Sequence, residues 1–415
     1  MRNVIKSVRG TYDLLPKDYQ IILSISQIIK DIVSIYGFKF IDTPIFEFTE
    51  VFNVVGTNCD IIHKETYTFF DRGGDSITLR PEGTAAIARA VISNGLTQQL
   101  PIKLYYQGPM FRYDRPQKGR HRQFLQSGVE FFGEKISLVD AEIIAMADHV
   151  LQFLGLRDKV KLYINNIADI NSRNKYSLKL SEYFNRYLID LSKDSQERVN
   201  INPLRILDSK SKKDIIISQE APLIDEFLTK ESKHFFSQVC TILEYLNINY
   251  IYNSKLMRGL DYYSYTTFEF ITDILGSQGT VLAGGRYDML HRFSSLEAFG
   301  IGWAAGLDRL KLLWKGYLET RTRPVFFIPI GIKSEKYCIL LIQKFRKSGI
   351  YSEIIYVGNL KKRLTKSTFF NAKWVIILGE KELASGSATV KFLDKGYQES
   401  VSLINLLNYF MRCVL

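Results

Sequence analysis

Between residues 66 and 132 the chain has four strand-like runs at hairpin-like spacing, and this pattern strongly limits the possible folds. A helical pattern with one apolar face runs from Ile21 to Val33 before them, and further helical patterns cover Ala85–Val91 and Leu138–Leu154. Strands bunched between long helices favour an α+β fold with an antiparallel sheet over alternating βαβ units. The runs are residues 66–70, 76–80, 103–107 and 127–132.

The rest of the chain changes character twice. Residues 166–235 are rich in Lys, Asp, Ser and Asn and predict an inserted helical subdomain. We therefore predict one body built from residues 1–165 and 236–320, followed by a compact α/β domain at 324–415. The predicted elements are helices near 175–193 and 221–246 in the insertion, then strands 325–331, 350–357, 373–379 and 388–393 and helices 334–347 and 400–412 in the last domain.

The charge of the chain is concentrated at one end. The 415 residues carry a formal net charge of +12. Residues 1–320 contain 39 Lys and Arg against 37 Asp and Glu, whereas residues 321–415 contain 16 against 6. A basic module joined to a nearly neutral body indicates a polyanionic partner, most simply a nucleic acid. The alternative is a solvated basic surface that serves solubility.

Several classes of protein are disfavoured by what the sequence lacks. No run of about 18 uncharged apolar residues occurs and no export signal follows the N-terminal basic residues, so we expect a cytosolic protein without a membrane span. The four cysteines and five histidines are scattered, which argues against a disulfide framework or a structural zinc. The sequence contains no Gly-Lys pair, HExxH or GxSxG, so P-loop, zincin and serine-hydrolase chemistry are disfavoured. Gly300-x-Gly302-x-x-Ala305 is similar to a dinucleotide fingerprint, but no buried strand precedes it, and we interpret 300–306 as a Gly-rich helix start.

Because no nucleophile is evidently presented, arginines and carboxylates are the candidates for chemistry. Glu82 and Thr84 lie at a predicted strand-to-helix corner, where they either face a pocket or cap the helix. The clusters at 258–263 (RGLDYY) and 283–288 (AGGRYD) combine glycines with Arg, Asp and Tyr. Such clusters suit a small polar ligand, with turns carrying satisfied tyrosines as the alternative.

The densest group of polar residues is the predicted hairpin at 105–133. Arg112 ends its first strand and has the planar fork that binds phosphate bidentately. The loop that follows carries four cations and could hold a nucleic-acid backbone. Gln126 and Glu130 are four apart in the second strand, so they point to the same face. An ordinary charged hairpin tip is the alternative.

Together these segments resemble the histidyl-tRNA synthetase family, bacterial type, within the class II aminoacyl-tRNA synthetases. The resemblance implies a class II antiparallel sheet flanked by helices, a catalytic domain at 1–165 and 236–320, and an anticodon-binding domain at 324–415. The matching segments are motif 1 ending at Thr43-Pro44, motif 2 at 105–133, motif 3 at 300–310 (GIGWAAGLDRL), and the histidine signatures at 258–263 and 283–288.

This resemblance implies ATP-dependent attachment of L-histidine to histidine tRNA through a histidyl-adenylate, with release of pyrophosphate and AMP. ATP is then a substrate, and Mg²⁺ accompanies its phosphates without an assigned protein ligand. The alternative is the regulatory paralogue of ATP phosphoribosyltransferase, which binds histidine without aminoacylation. That paralogue typically lacks the C-terminal domain, and its RGLDYY signature is altered. This chain has residues 324–415 and an intact RGLDYY at 258–263.

The resemblance also implies roles for individual residues. Arg258 and Arg112 are the expected catalytic residues, because they offset charge between the substrate carboxylate and the α-phosphate. ATP is expected to contact Arg112, Asp114 and Arg309. The residues expected to bind histidine are Glu82, Thr84 and Gln126 at the α-ammonium, Glu130 and Tyr263 at the imidazole, and Arg258, Tyr262 and Tyr287 around them.

The resemblance predicts further partners. Arg120 and Arg122 of the motif 2 loop are expected to meet the acceptor end of the tRNA. Motif 1 predicts a homodimer through residues about 35–55. Two departures affect the acceptor-facing loop: position 125 is Leu where bacterial relatives often have His, and position 121 is His.

Overall fold

The structure is a computed structural model that describes residues 5–53, 56, 62, 64–258, 262–293, 298–316 and 323–414. The chain forms two compact units, Met1–Tyr317 and Leu318–Leu415. In the described part of the chain, no helix combines the length and the apolar character that a membrane crossing requires.

The first unit contains the predicted antiparallel sheet. Its strands are β1 Lys39–Phe40, β2 Phe46–Phe48, β3 Tyr67–Phe70, β4 Ser76–Leu79, β5 Ile102–Phe111, β6 Gln123–Gly133, β7 Lys161–Asn166, β8 Ile251–Tyr252, β9 Tyr263–Ile271, β10 Thr280–Tyr287 and β11 Phe299–Gly306. Among the described residues, eight of them form one sheet in the order β1-β5-β6-β11-β10-β9-β7-β8. Its inner pairs from β5 to β7 are antiparallel, and β1 and β8 add in parallel at the edges. The remaining strands form a small sheet, β2-β4-β3.

Helices cover both faces of the large sheet. They are α1 Pro16–Ile35, α2 Thr49–Asn53, α3 Thr84–Ser93, α4 Ser137–Phe153, α5 Ile170–Asn185, α6 Lys193–Arg198, α7 Lys212–Gln219, α8 Lys230–Tyr245, α9 Leu290–Phe293 and α10 Leu307–Leu313. α1, α4, α8 and α10 pack on one face, which we call the core face, against Val129, Phe268, Ile301 and Trp303. The apolar stripe predicted for α1 is buried there. The opposite face, which we call the site face, carries the polar residues described below.

The segment between β7 and β8 is helical where the structure describes it, from α5 to α8. The helices predicted near 175–193 and 221–246 are shorter than expected, since α5 ends at Asn185 and α8 begins at Lys230. Asp214 joins the middle of this segment, because its carboxylate accepts hydrogen bonds from three serine hydroxyls, those of Ser192 (2.7 Å), Ser195 (2.7 Å) and Ser209 (2.6 Å).

The prediction that 300–306 starts a helix is wrong. Residues Phe299–Gly306 form strand β11 between β6 and β10, and the helix starts afterwards at Leu307. Neighbouring side chains explain the two glycines. A Cβ on Gly300 would lie 2.1 Å from the Tyr287 ring, and one on Gly302 would lie 2.2 Å from Glu130 Oε2. The glycines therefore let large side chains from adjacent strands lie across β11.

The second unit is a mixed sheet with helices. Its elements are β12 Val325–Pro329, α11 Ile332–Lys347, β13 Ser352–Ile354, α12 Leu360–Phe369, β14 Trp374–Leu378, α13 Glu380–Ala384, β15 Ser387–Phe392, β16 Tyr397–Ser402 and α14 Leu406–Val414. The strand order is β13-β12-β14-β15-β16, with β12 parallel to both neighbours. The helix predicted at 400–412 is wrong in its first residues, because Tyr397–Ser402 pairs with β15 as an antiparallel edge strand.

Candidate active site

The site face gathers polar residues over a floor of small ones. Residues paired across neighbouring strands share a face, and Glu130 on β6 lies opposite Gly302 on β11. Gln126 lies opposite Gly306 on β11 and Gly108 on β5, so it shares the face with Glu130, as the spacing predicts. A Cβ on Gly302 or Gly108 would collide with Glu130 or Arg80, so these glycines make room for the polar side chains that lie over the sheet.

The corner before α3 orients the first carboxylate. Glu82 Oε2 accepts from the Thr84 amide and Oε1 from the Ala85 amide, both at 2.8 Å. The Tyr262 hydroxyl lies 3.5 Å from Oε2. Glu82 thus caps the N-terminus of α3 and also lies beside Tyr262 in the site. The sequence had left capping and facing a pocket as alternatives, and the structure combines them.

Glu130 completes this buried network. The Thr84 hydroxyl donates to Glu130 Oε1 at 2.6 Å, and the Tyr287 hydroxyl donates to Oε2. Burial raises the pKa of Glu130 to about 8, with hydrogen bonds from Thr84 and Tyr287 opposing the shift and the charge of Glu82 adding to it. Burial also raises the pKa of Glu82, against the amide hydrogen bonds. Gln126 Oε1 is buried with no hydrogen-bond partner in the described structure. These acceptors favour a ligand with cationic or N–H groups.

Tyrosine rings wall the network. The Tyr262 ring lies 4.6 Å from that of Tyr263 and 5.4 Å from that of Tyr287, measured between centroids. Sequence reasoning missed Tyr106, whose buried hydroxyl lies within 3 Å of the Cβ positions that Gly83 and Gly128 lack. Tyr106 pairs with Gly128 in the antiparallel register of β5 and β6. A large residue opposite a glycine in this hairpin was the sequence signal that could have identified Tyr106.

Arg112 and Arg309, both expected to bind ATP phosphates, form a cationic cluster with Arg120 of the motif 2 loop. Arg112 Nε donates to the Pro81 carbonyl at 2.8 Å, directly beside Glu82. Arg309 donates to the Thr280 carbonyl at 2.6 Å. Burial, together with the charges of Arg112 and Arg120, lowers the pKa of Arg309 to about 10. A polyanion would relieve this mutual repulsion.

Arg258 lies on the tyrosine side of the site. It pairs with Glu269, and its guanidinium is 5.2 Å from the Tyr263 ring centroid. Burial opposes its charge, but Tyr263 and Glu269 together raise the pKa of Arg258 above its usual range. Gly259, Leu260 and Asp261 of the same signature lie outside the described residues.

The motif 2 loop is held by its own charges. Asp114 pairs with Arg120, so the residue expected to contact ATP and a residue expected to contact the tRNA bind each other. The Arg122 guanidinium lies 3.9 Å from the Tyr113 ring centroid, and its Nε donates to the Asp114 carbonyl. Both arginines therefore stiffen the loop as the chain stands.

Asp308 of motif 3 links strand β6 to the N-terminal segment, a contact that sequence reasoning missed. Its carboxylate accepts from the Tyr12 hydroxyl and, at 2.9 Å, from the Leu125 amide. Burial and the adjacent Asp308 raise the pKa of Tyr12 above its usual range. Within the described ranges, no cluster of three or more His, Cys, Asp or Glu could hold a metal ion.

The sheet is antiparallel between β5 and β7, and its site face carries a carboxylate pocket beside three arginines: Arg112 of the hairpin, Arg258 of the loop before β9, and Arg309 of α10. This arrangement defines a class II aminoacyl-tRNA synthetase. The family model described as "Histidyl-tRNA synthetase" matches residues 10–310, and that described as "Anticodon binding domain" matches residues 324–412. The chain belongs to the histidyl-tRNA synthetase family.

Individual relatives span nearly the whole chain. A protein named histidine--tRNA ligase from Wolbachia pipientis subsp. Culex pipiens is 46% identical over 96% of this chain and 97% of its own length. One of the same name from Rhodospirillum rubrum is 43% identical over 98% of this chain and 99% of its own. The structure of apo S. aureus histidyl-tRNA synthetase is similar with a TM-score of 0.81 and 35% identity, covering 98% of this chain and 100% of that one. These findings do not favour the regulatory paralogue.

Proposed function

We propose that this chain catalyses the ATP-dependent attachment of L-histidine to histidine tRNA in the cytoplasm, through a histidyl-adenylate. The observation that carries the proposal is the acceptor-rich pocket of Glu82, Gln126 and Glu130 beside Arg112 and Arg258. The pocket offers acceptors to an ammonium and an imidazole, and the arginines offer charge to a carboxylate and a phosphate.

In the activation step, an oxygen of the histidine carboxylate attacks the α-phosphorus of ATP. The bond to pyrophosphate breaks, and its electrons leave with the pyrophosphate. Arg258 bridges the carboxylate and the α-phosphate, and Arg112 holds that phosphate, so the two anions can approach. Arg309 holds the γ-phosphate, and Asp114 contributes by fixing Arg120 beside the nucleotide. Mg²⁺ enters with ATP as part of the substrate.

Recognition of histidine falls to the buried network. Glu82, Thr84 and Gln126 bind the α-ammonium, while Glu130 and Tyr263 contact the imidazole nitrogens. Tyr262 and Tyr287 form the pocket walls. A site built from buried acceptors rejects apolar side chains, because those acceptors would then lose their partners.

In the transfer step, a terminal ribose hydroxyl of the tRNA attacks the histidyl carbonyl and AMP leaves. Arg120 and Arg122 approach the acceptor end, and the basic second unit binds the anticodon region. The family model that matches residues 324–412 and the charge of this segment support that division of labour.

We also propose a homodimer through residues about 35–55, of which 54 and 55 lie outside the described residues. Phe40, Phe46 and Phe48 are each more than half exposed, on the edge strand β1 and on β2. Arg80 donates to the Thr43 carbonyl within this segment at 2.8 Å and directly precedes the Pro81–Glu82 corner. Sedimentation that gives an active monomer at nanomolar concentration would refute the dimer.

The test of the function is pyrophosphate exchange into ATP, without tRNA, for each of the amino acids. We expect exchange with histidine alone. Arg258→Ala should lose it, whereas Arg186→Ala, an exposed arginine at the end of α5, should keep it. Folded protein that binds histidine without exchanging pyrophosphate would refute the proposal.

A further inference from the structure

Strand β9 contains a bulge that places two tyrosines on opposite faces of the sheet. Gly285 pairs with Thr267 and Arg286 with Ser264, so two residues of β9 are left over, and we call them the bulge residues, Tyr265 and Thr266. Tyr265 has φ +51°, a left-handed conformation that is strained for a non-glycine residue. Its side chain packs in the core face cluster, whereas Tyr263 packs with the site face residues. The bulge therefore needs outside support to keep Tyr263 in the site.

The helical insertion supplies one support directly. Arg173, in the first turn of α5, donates through Nη1 to the backbone carbonyl of Tyr263. The N-terminus of α5 is fixed, because the Asp169 side chain caps it by accepting a hydrogen bond from the Ser172 amide at 2.9 Å. Arg173 is only 9% exposed, so this hydrogen bond is made by a buried charged donor.

The chain entering the insertion supplies a second support. The Ile167 amide donates to the Tyr265 carbonyl at 2.8 Å, and the Tyr265 amide donates to the Ala168 carbonyl at 2.9 Å. Ala168 has φ +65°, and its amide donates to Asn166 Oδ1 at 3.0 Å. The turn into α5 and the bulge thus hold each other's backbone.

The chain leaving the insertion supplies a third support, through α8. Lys135 Nζ lies 2.5 Å from Glu231 in the first turn of α8 and donates to the Tyr265 hydroxyl at 3.0 Å. The Ser232 hydroxyl donates to Asn166 Oδ1 at 2.9 Å. Both ends of the insertion are therefore linked to the bulge, the entering end directly and the leaving end through Lys135.

We propose that the insertion positions the histidine pocket, and that Arg173 is the positioning residue that sets the place of Tyr263. This rests on the proposed function, in which Tyr263 contacts the imidazole. Arg173 is proposed to act on the pocket through its hydrogen bond to the Tyr263 carbonyl. Any displacement of α5 by a bound partner then changes the affinity for histidine and leaves the affinity for ATP unaltered.

The test compares Michaelis constants for histidine and for ATP in pyrophosphate exchange without tRNA, using the full chain. We expect Arg173→Ala to raise the KM for histidine by roughly tenfold or more while the KM for ATP stays within about twofold. Arg173→Lys, which keeps a charged donor, should recover most of this loss. Arg186→Ala, at the exposed other end of α5, is the matched control and should behave as wild type.

The outcomes separate the inference from the function on which it rests. Absence of exchange in the wild type would refute the proposed function itself. An active wild type with an unchanged KM for histidine in Arg173→Ala would overturn only the role of Arg173, as would equal changes in both Michaelis constants. If Arg173→Ala does not fold, Arg173→Met keeps the buried volume and decides by the same ratio, and loss of fold in both variants would also overturn the proposal.

Discussion

Replacing Glu130 with glutamine keeps the shape of the side chain and removes its charge. In the unbound site, burial raises the pKa of Glu130 to about 8. Hydrogen bonds from Thr84 and Tyr287 act to lower this pKa, and the charge of Glu82 acts to raise it. With that pKa, roughly a tenth of the molecules carry the ionised carboxylate at pH 7 and roughly half at pH 8. Raising the pH through this range therefore creates the charged acceptor.

The ionised form is the one that binds imidazole in our proposal. The Thr84 and Tyr287 hydroxyls already donate to the carboxylate, which has further lone pairs for an imidazole N–H. The KM for histidine should therefore fall about fivefold between pH 7 and pH 8. Glu130→Gln should remove this pH dependence and raise the KM for histidine by roughly tenfold or more, with the KM for ATP changed by less than about twofold.

The assay is histidine-dependent pyrophosphate exchange at closely spaced pH values between 6.5 and 8.5, on the order of a dozen histidine concentrations each. Glu134→Gln, an exposed carboxylate just beyond the end of β6, is the matched control and should follow the wild type. The reasoning fails if Glu130→Gln shows the same pH profile as the wild type, or if it weakens ATP and histidine equally.

Three further predictions concern the supports of the fold and site. Gly302→Ala puts a Cβ 2.2 Å from Glu130 Oε2, so histidine-dependent exchange should fall about 100-fold, and a fall below about threefold would contradict the packing. Asp140→Ala leaves Arg286 buried and unpaired, since both side chains are 0% exposed, and urea denaturation should show a loss of about 3–5 kcal/mol that a double variant with Arg286→Met largely recovers. Asp214→Ala removes the acceptor of three serine hydroxyls, which should cost the insertion about 3 kcal/mol and appear as faster limited proteolysis there, and an unchanged cleavage rate would count against it.

The sequence alone determined whatever depends on local periodicity and residue chemistry. The helical stripe of α1 and the α+β character follow from short-range spacing, and both are present in the structure. The shared face of Gln126 and Glu130 follows from the period of two in a strand. The matching motifs likewise gave the family, since five segments occur in the expected order. The domain boundaries and the roles of the individual site residues stay predictions.

Only the tertiary structure decided which distant residues meet. The local pattern at Gly300 and Gly302 predicts a helix start, yet both lie in strand β11, which pairs with β6 and β10. Their missing side chains make room for Tyr287 and Glu130 of those neighbouring strands. The contact between Arg173 and Tyr263 joins residues 90 positions apart, and Thr84 and Glu130 are 46 apart. Pairings of this kind depend on strand order and on the bulge in β9, which no local pattern specifies, because each is set by packing summed over the whole sheet.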